Sequence, residues 1–238
     1  RTLVVLPTYN EADNIVDFVH AVRSAAPSAD ILVVDDNSPD GTGLLAEQLA
    51  AADSSVSVLH RTAKAGLGAA YRHGFSVAFE RGYDVIVSMD SDFSHDPAVI
   101  PVMIARIEQG ADVVVGSRYV HGGGTIDWPL RRQILSKWGN RYTGFVIGMK
   151  VRDCTSGFRT YRASMLERVR PVETKAEGYA FLTELVHRLD REGARVVETP
   201  IIFRDRERGV SKMSGRIIIE SMFRVTTWGV RERLQRRR

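Results

Sequence analysis

Five short apolar runs, at residues 3–6, 31–34, 56–59, 85–89 and 113–115, alternate with helical patterns at 12–26, 41–52, 66–81 and 97–109. Continuous apolar runs of this length suit strands covered on both faces. Helical segments of about 10–15 residues between them imply crossover connections and a mostly parallel sheet. The first 120 residues therefore predict a doubly wound α/β fold, with helices flanking a central sheet. A chain of 238 residues can bury one large core, and no break in composition favours two, so residues 1–238 are expected to form a single domain.

After Arg118 the rhythm changes. A glycine-rich loop, Gly122-Gly123-Gly124, precedes an amphipathic segment at 130–147 and the block Cys154-Thr155-Ser156-Gly157-Phe158-Arg159. A helix near 180–192, a strand near 195–203, a charged loop at 205–212 and a last helix from about 214 follow. Residues 121–213 read as a second substrate's pocket, supplying loops rather than new sheet. In the closing segment, 214–238, apolar Ile218, Met222, Val225 and Trp228 share a helix with Arg216, Arg224, Arg231 and Arg233. Such a helix lies on a membrane surface or packs against the sheet, and its sequence leaves both open.

Apolar residues at 44% and charged residues at 26% are ordinary for a globular chain. Cys154 is the only cysteine, which excludes a disulfide-built scaffold and fits a reducing cytosol. No apolar run reaches the roughly 18–20 residues that span a bilayer, and no basic-then-apolar leader precedes the first strand. Because the chain opens almost directly on that strand, upstream sequence trimmed away or belonging to another domain is expected. The net charge of +4 is concentrated at the end, in Arg231, Arg233, Arg236, Arg237 and Arg238. Such a tail is most often simply solvated, and anionic lipid is the partner that would otherwise suit it. Nucleic acid is not, because no aromatic residues are interleaved as stacking platforms.

The stretch Ser88-Met89-Asp90-Ser91-Asp92-Phe93-Ser94-His95 places two carboxylates one residue apart after a buried strand. Alternation along an extended chain aims Asp90 and Asp92 the same way, at the strand end where open α/β sheets bind ligands. Two hard oxygen donors there suit Mg²⁺ or Mn²⁺ carrying a polyphosphate. The competing reading is a polar turn in which Asp96 or Ser94 caps the helix after Pro97. His95 is a candidate metal ligand, with packing or capping the favoured role. The first strand ends in Pro7-Thr8-Tyr9-Asn10-Glu11 and the second in Asp35-Asp36-Asn37-Ser38-Pro39-Asp40-Gly41-Thr42, polar tips across which a nucleoside fits. Asp36 or Ser38 as a helix cap is the plainer alternative. No Gly-x-Gly-x-x-Gly follows the first strand, which argues against a nicotinamide or flavin enzyme. Arg204, Arg206 and Arg208 with Gly209, Ser211 and Lys212 read as a lid over substrates, against the alternative of a charged surface loop.

Acidic tips on three strands in this order resemble the nucleotide-sugar-binding half of family 2 glycosyltransferases with a GT-A fold. Leu-Pro-Thr-Tyr-Asn-Glu (6–11), Val-Asp-Asp-Asn-Ser-Pro-Asp-Gly-Thr (34–42), Met-Asp-Ser-Asp-Phe-Ser-His (89–95), Gly-Ser-Arg-Tyr (116–119), Thr-Ser-Gly-Phe-Arg (155–159), Glu-Gly-Tyr-Ala-Phe (177–181) and Asp-Arg-Glu-Arg-Gly-Val-Ser-Lys (205–212) resemble the dolichol-phosphate or polyprenyl-phosphate mannose synthases. The resemblance implies inverting transfer of mannose from GDP-mannose to a polyprenyl monophosphate at the cytosolic face of a membrane; the alternatives are a polyprenyl-phosphate glucosyltransferase using a UDP-sugar and a non-catalytic subunit that binds nucleotide sugar. The membrane would be reached peripherally, through an anchoring partner or a missing domain. It implies that Pro7, Tyr9, Glu11, Val34 and Asp36 hold the guanosine, while Asp90 and Asp92, with backbone of Ser91 and Phe93, hold Mg²⁺ or Mn²⁺ and the diphosphate. Arg118, Arg206 and Lys212 are expected on phosphate, and Arg132 and Ser136, i and i+4 on one helical face, on the acceptor phosphate. Relatives that glycosylate hydroxyls carry a Glu-Asp pair. Here Thr183-Glu184 is followed by Leu185, as expected for an acceptor that needs no base.

Overall fold

The computed structural model describes residues 1–174, 176, 178–205, 222, 223 and 225–230. The chain runs β1 (Thr2–Thr8), α1 (Ile15–Ala25), β2 (Asp30–Asp35), α2 (Thr42–Ala52), β3 (Val56–His60), α3 (Leu67–Glu80), β4 (Val85–Ser88), α4 (Ile100–Glu108) and β5 (Val113–Ser117). Every strand and helix expected in the first 120 residues is present. Then come β6 (Gly124–Ile126), α5 (Leu130–Ile147), β7 (Arg159–Arg162), α6 (Ala163–Arg168), α7 (Gly178–Arg191), β8 (Val196–Pro200) and β9 (Ile202–Arg204).

The central sheet has the order β3-β2-β1-β4-β7-β5-β8, and β6 and β9 pair separately. All central strands are parallel except β7, which is antiparallel to β4 and β5. From β1 the chain steps outward to β2 and β3, then returns to place β4 on the other side of β1. That reversal opens a crevice beyond the carboxyl ends of β1 and β4, where doubly wound sheets bind ligands.

Pleating divides each apolar run between two cores. Leu3 and Val5 of β1, Leu32 and Val34 of β2, and Val113 and Val115 of β5 pack with α3, α6 and α7. Val4 and Leu6, Ile31 and Val33, and Val114 pack with α1, α2 and α4 on the opposite face. Each fully buried Val or Leu contributes about 1.5–3 kcal/mol, so two-sided burial favours runs without polar alternation. Gly74 lets α3 lie against β1: a Cβ there would sit 2.5 Å from Val5 Cγ1.

The second half does more than supply loops. It inserts β7 between β4 and β5 and adds β8 at the edge, correcting the expectation that it brings no new sheet. Arg159-Thr160-Tyr161-Arg162 does not read as a buried strand, because arginines flank it. Arg159 is nevertheless fully buried, and its guanidinium donates to the carbonyls of Ser156 (2.8 Å), Leu182 (2.5 Å) and Cys154 (2.7 Å). Arg162 likewise meets Asp112 and the carbonyls of Ile107 and Ala111. A buried charge is tolerable only with such partners; Leu182, Asp112, Ile107 and Ala111 come from distant segments, while Ser156 and Cys154 lie within five residues of Arg159.

Part of the C-terminal segment is helical, at 225–230. Val225 is buried in the core, Tyr142 and Thr226 share a hydroxyl hydrogen bond of 2.8 Å, and a Cβ on Gly229 would meet Val146 at 2.5 Å. For Val225 and Trp228, packing therefore wins over a membrane-facing role, with α5 as part of the surface they cover. Met222 of the same stripe lines a cavity, while Arg216, Ile218, Arg224, Arg231 and Arg233 lie outside the described residues. No helix among the described residues is long and apolar enough to cross a membrane.

Candidate active site

The β4 ladder ends with Ser88 opposite Arg159, so strand alternation does not reach the paired aspartates; a loop places them. Phe93 sits at φ 60° in the left-handed region, with its ring edge-on to Phe18 at 5.0 Å, which pins the loop to α1. Asp92 is buried, and its Oδ1 accepts from the Ser94 amide at 3.0 Å. The Asp90 side chain keeps 35% of its exposure and lines a cavity. Asp96 is the residue that caps, accepting from the Ala98 amide at 2.9 Å. The cap and the carboxylate pair are thus carried by different residues.

His95 is buried between Phe158 and Phe203, at ring distances of 5.4 and 5.1 Å, and neither ring nitrogen has a hydrogen-bond partner. Burial, partly opposed by the Asp92 charge, pushes its imidazole down to about 4, so it is neutral at pH 7. Its Nε2 lies 3.9 Å from Asp90 Oδ2. Packing is its visible role.

At the neighbouring strand tips, Pro7 and Val34 face each other across the β1–β2 ladder. The Lys64 ammonium lies 3.8 Å over the Tyr9 ring. Glu11 is buried, its carboxylate accepting from Asn14 at 2.9 Å and its amide donating to Thr42 Oγ1 at 2.9 Å. Asp36 is ion-paired with Arg61, both side chains being largely buried. Ser38 donates to Asp35 at 2.5 Å, and α2 begins after Gly41, with Asp40 accepting from the Thr42 amide at 3.0 Å. Neither Asp36 nor Ser38 caps that helix, which corrects the plainer reading of this segment.

The cavity at Asp90, about 150 Å³, is bounded by Arg118, Arg132 and Ser136 and by apolar Leu135, Trp138 and Val225. Arg118 leaves β5 and is held on Asp153 by a two-pronged pair, Nε to Oδ2 and Nη2 to Oδ1, both 2.7 Å. A third bond runs from Nη2 to Thr155 Oγ1 at 2.9 Å. Burial alone would raise the Asp153 carboxyl, but the Arg118 charge and hydrogen bonds outweigh it and hold it below the usual carboxylate value. Arg132 pairs with Asp205 at 2.8 Å and lies 3.9 Å over the Trp128 ring. Ser136 accepts from the Tyr119 hydroxyl at 2.6 Å.

Asp90, Arg118, Arg132 and Ser136 are thus brought to one space. Pro7, Tyr9, Glu11, Val34 and Asp36 stand at adjacent tips and do not line it. Ser91 is buried beside the aspartates. Arg206 and Lys212 lie outside the described residues. Asp153, Trp128 and Asn140 escaped the reading of the sequence. Asn140 was findable, because it continues the Arg132–Ser136 spacing by another four residues; it accepts from the Cys154 amide at 2.7 Å. Burial pushes the Cys154 thiol up to about 12, so it is no nucleophile. Glu184 is held by Arg188 at 2.6 Å and by the Ala176 amide at 3.3 Å, a structural role.

Among the described residues no group of three or more His, Cys, Asp or Glu side chains converges on a metal position. Asp90 and Asp92 offer only part of a coordination shell. That fits hard cations that take one or two carboxylates and complete their shell with phosphate and water.

Comparison with known proteins gives the same placement. Residues 3–170 match the model of the family described as glycosyl transferase family 2. A polyprenol monophosphomannose synthase of Mycolicibacterium smegmatis is 50% identical over 239 aligned residues, covering 100% of this chain and 90% of that protein. An undecaprenyl-phosphate mannosyltransferase of Micrococcus luteus is 46% identical over 98% of this chain and 96% of its own. Among solved structures, glucosyl-3-phosphoglycerate synthase of Mycobacterium tuberculosis, with Mn²⁺, UDP and glucosyl-3-phosphoglycerate, superposes with TM-score 0.66 at 20% identity, covering 95% of this chain and 80% of that one. A mannosyltransferase of Pyrobaculum calidifontis with GDP-Man and Mn²⁺ superposes with TM-score 0.61 at 15% identity, over 99% and 64%. These likenesses establish the GT-A type of α/β fold with its mostly parallel sheet. With residues 3–170 matching the family model and half its residues identical to those of a relative of nearly equal length, the chain belongs to glycosyl transferase family 2.

Proposed function

We propose that this chain transfers mannose from GDP-mannose to a polyprenyl monophosphate with inversion, giving a β-linked polyprenyl mannosyl phosphate. One observation carries the reading: a strand-tip carboxylate, Asp90, shares a single cavity with two arginines and with an apolar wall of Leu135, Trp138, Met222 and Val225. Such a lining suits a ligand that is anionic at one end and hydrocarbon at the other. The names of the relatives from Mycolicibacterium smegmatis and Micrococcus luteus support that acceptor class.

In this reading the guanosine lies over Pro7, Tyr9, Glu11, Val34 and Asp36, and the diphosphate reaches the loop of Asp90, Ser91, Asp92 and Phe93. A divalent cation, Mg²⁺ or Mn²⁺, held there by Asp90 and Asp92 would neutralise the charge growing on the leaving diphosphate. Arg206 and Lys212 are proposed to add positive charge to the same phosphates. The acceptor phosphate takes Asp205's place on Arg132, a two-oxygen match for a guanidinium. Ser136 donates a further hydrogen bond. Arg118, whose fork is committed to Asp153, acts as a fixed positive wall. A phosphate monoester has a second pKa of about 6 and is already ionised at neutral pH, so no side chain need remove a proton. One acceptor oxygen attacks the anomeric carbon. The bond from that carbon to the GDP oxygen breaks, and its electron pair stays with GDP. The engagement of Glu184 with Arg188 and the Ala176 amide agrees with a reaction that has no protein base.

The test is formation of lipid-linked mannose by the purified chain from GDP-mannose, a polyprenyl phosphate and Mg²⁺ or Mn²⁺. UDP-glucose in place of GDP-mannose should give no lipid-linked sugar. A faster reaction with UDP-glucose, or no product under any condition, overturns the reading.

A further inference from the structure

Packing alone does not account for an imidazole at position 95. The ring is 2% exposed between Phe158 and Phe203, yet neither of its nitrogens has a hydrogen-bond partner. Burying an unpaired N–H is destabilising, and a phenylalanine would fill the same aromatic slot without that cost. An imidazole kept there points to a partner that it meets only when the site is loaded.

Nε2 lies 3.9 Å from Asp90 Oδ2, about 1 Å beyond the usual N–H···O length. The ring is the fixed member of this pair. Phe158 and Phe203 hold it on two sides, and the adjoining backbone is tied to β9 by the Arg204 amide, which donates to the Ser94 carbonyl at 3.2 Å. The carboxylate is the movable member. The Asp90 side chain keeps 35% of its exposure, and a Cβ on Gly157 would lie 3.5 Å from each of its oxygens. That glycine is not in the left-handed region, so its backbone does not require it; it leaves open space beside the carboxylate.

A carboxylate that ligates a cation is itself oriented by hydrogen bonds from behind. Asp92 has such a bond from the Ser94 amide, 3.0 Å from Oδ1. We infer that His95 is a positioning residue for Asp90, its Nε2–H donating to Oδ2 when a divalent cation is bound, so that the carboxylate is held in one orientation. The inference deepens the proposed reaction and rests on its placing of the cation at Asp90. A singly protonated imidazole carries its hydrogen on either nitrogen, and an acceptor on the Nε2 side selects Nε2–H. No proton is transferred in this role, and His95 acts on the reaction only through Asp90.

The experiment follows Mn²⁺ binding to the full chain by electron paramagnetic resonance in the presence of GDP, with mannosyl transfer to a polyprenyl phosphate measured in parallel. Three variants separate the two nitrogens. His95→Phe keeps a ring and removes both, His95→Gln puts an amide N–H near the position of Nε2, and His95→Asn puts one near that of Nδ1. His95→Phe and His95→Asn should weaken Mn²⁺ about 10- to 100-fold and lower kcat by a similar factor, while His95→Gln should stay within about threefold of wild type. The melting temperature of His95→Phe should equal or exceed the wild-type value, because a buried unpaired group is gone. In a chain labelled with ¹⁵N-histidine, nuclear magnetic resonance with Mg²⁺ and GDP should show the His95 hydrogen on Nε2. A hydrogen on Nδ1 in that state overturns the inference, and so does equal Mn²⁺ affinity in wild type, His95→Phe and His95→Asn. An equal loss in all three variants marks a packing role and also overturns it. Where His95→Phe does not fold, the contrast between His95→Gln and His95→Asn and the resonance decide. The expected Mn²⁺ contrast without lipid-linked mannose from wild type sinks the proposed reaction and leaves the role of His95 standing. Product formation that His95→Phe leaves unchanged sinks that role alone, and no Mn²⁺ binding by wild type with GDP overturns both.

Discussion

The strand tips that would receive a nucleotide and the α5 cavity that would receive an acceptor are built on different principles. At the tips, several polar turns close within a few residues: Ser38 bonds Asp35, Asp40 bonds Thr42, and Asp92 bonds Ser94, while Asp36 with Arg61 and Glu11 with Thr42 tie neighbouring tips together. In the cavity, both arginines are positioned by residues far along the chain: Arg118 by Asp153 and Arg132 by Asp205. The first region is fixed by parallel ladders and short polar turns. The second is held by ion pairs whose partners the tertiary fold delivers. A parallel sheet end is a rigid, reusable support for a nucleotide, whereas the acceptor side depends on charges that balance only when the second half is in place.

Removing function without stability should be easiest at the tips. Asp90→Asn keeps the shape of a half-exposed side chain but loses its charge. Formation of lipid-linked mannose should drop by about 10³-fold while the melting temperature stays at the wild-type value. Near-wild-type turnover would remove Asp90 from the reaction and break the division of labour.

The reverse pattern is expected in the cavity wall. Asp153→Asn leaves Arg118 buried without its counter-charge and should cost about 3–5 kcal/mol in denaturant unfolding. The pH dependence has a definite sign. The folded Asp153 carboxyl titrates below its unfolded value, so its contribution is fully present above about pH 4 and is lost as pH falls through the lower folded value. The stability gap between wild type and variant should therefore be constant near neutrality and close in acid. A gap that persists unchanged to pH 2 would show that the pair is not what holds Arg118.

Two smaller effects sharpen the contrast. Asp36→Ala should weaken GDP binding about 10- to 100-fold by calorimetry and leave the KM for prenyl phosphate alone. A change confined to the acceptor would move Asp36 to the other region. Asp205→Asn should act oppositely: it frees a partly exposed Arg132 and lowers the acceptor KM about two- to fivefold at low salt, with GDP affinity constant. A raised acceptor KM would show that Asp205 orients Arg132 rather than competing with phosphate.

The sequence made the first region legible because its physics is local. Two-sided burial demands continuous apolar runs, crossovers demand helices between them, and polar residues directly after a strand can only sit at its tip. Those constraints located β1 to β5, α1 to α4 and the acidic tips at Glu11, Asp36, Asp90 and Asp92. They did not say which carboxylate caps and which stays open, since Asp90, Asp92 and Asp96 look alike until the loop is built. In the second region the Arg132, Ser136 and Asn140 spacing was visible as helical period. The strand β7 was not, because a fully buried arginine contradicts every local rule for a buried strand.

The sequence alone settled the order of elements in the doubly wound half and the positions of the acidic tips, because hydrophobic period and chain direction are encoded residue by residue. Tertiary structure alone decided that β7 enters the sheet, that Arg118 is committed to Asp153, and that Val225 turns inward while α5 keeps its apolar face outward. These outcomes depend on which charges and surfaces meet across long stretches of chain, and desolvation makes each such meeting favourable or forbidden only once both partners are in place.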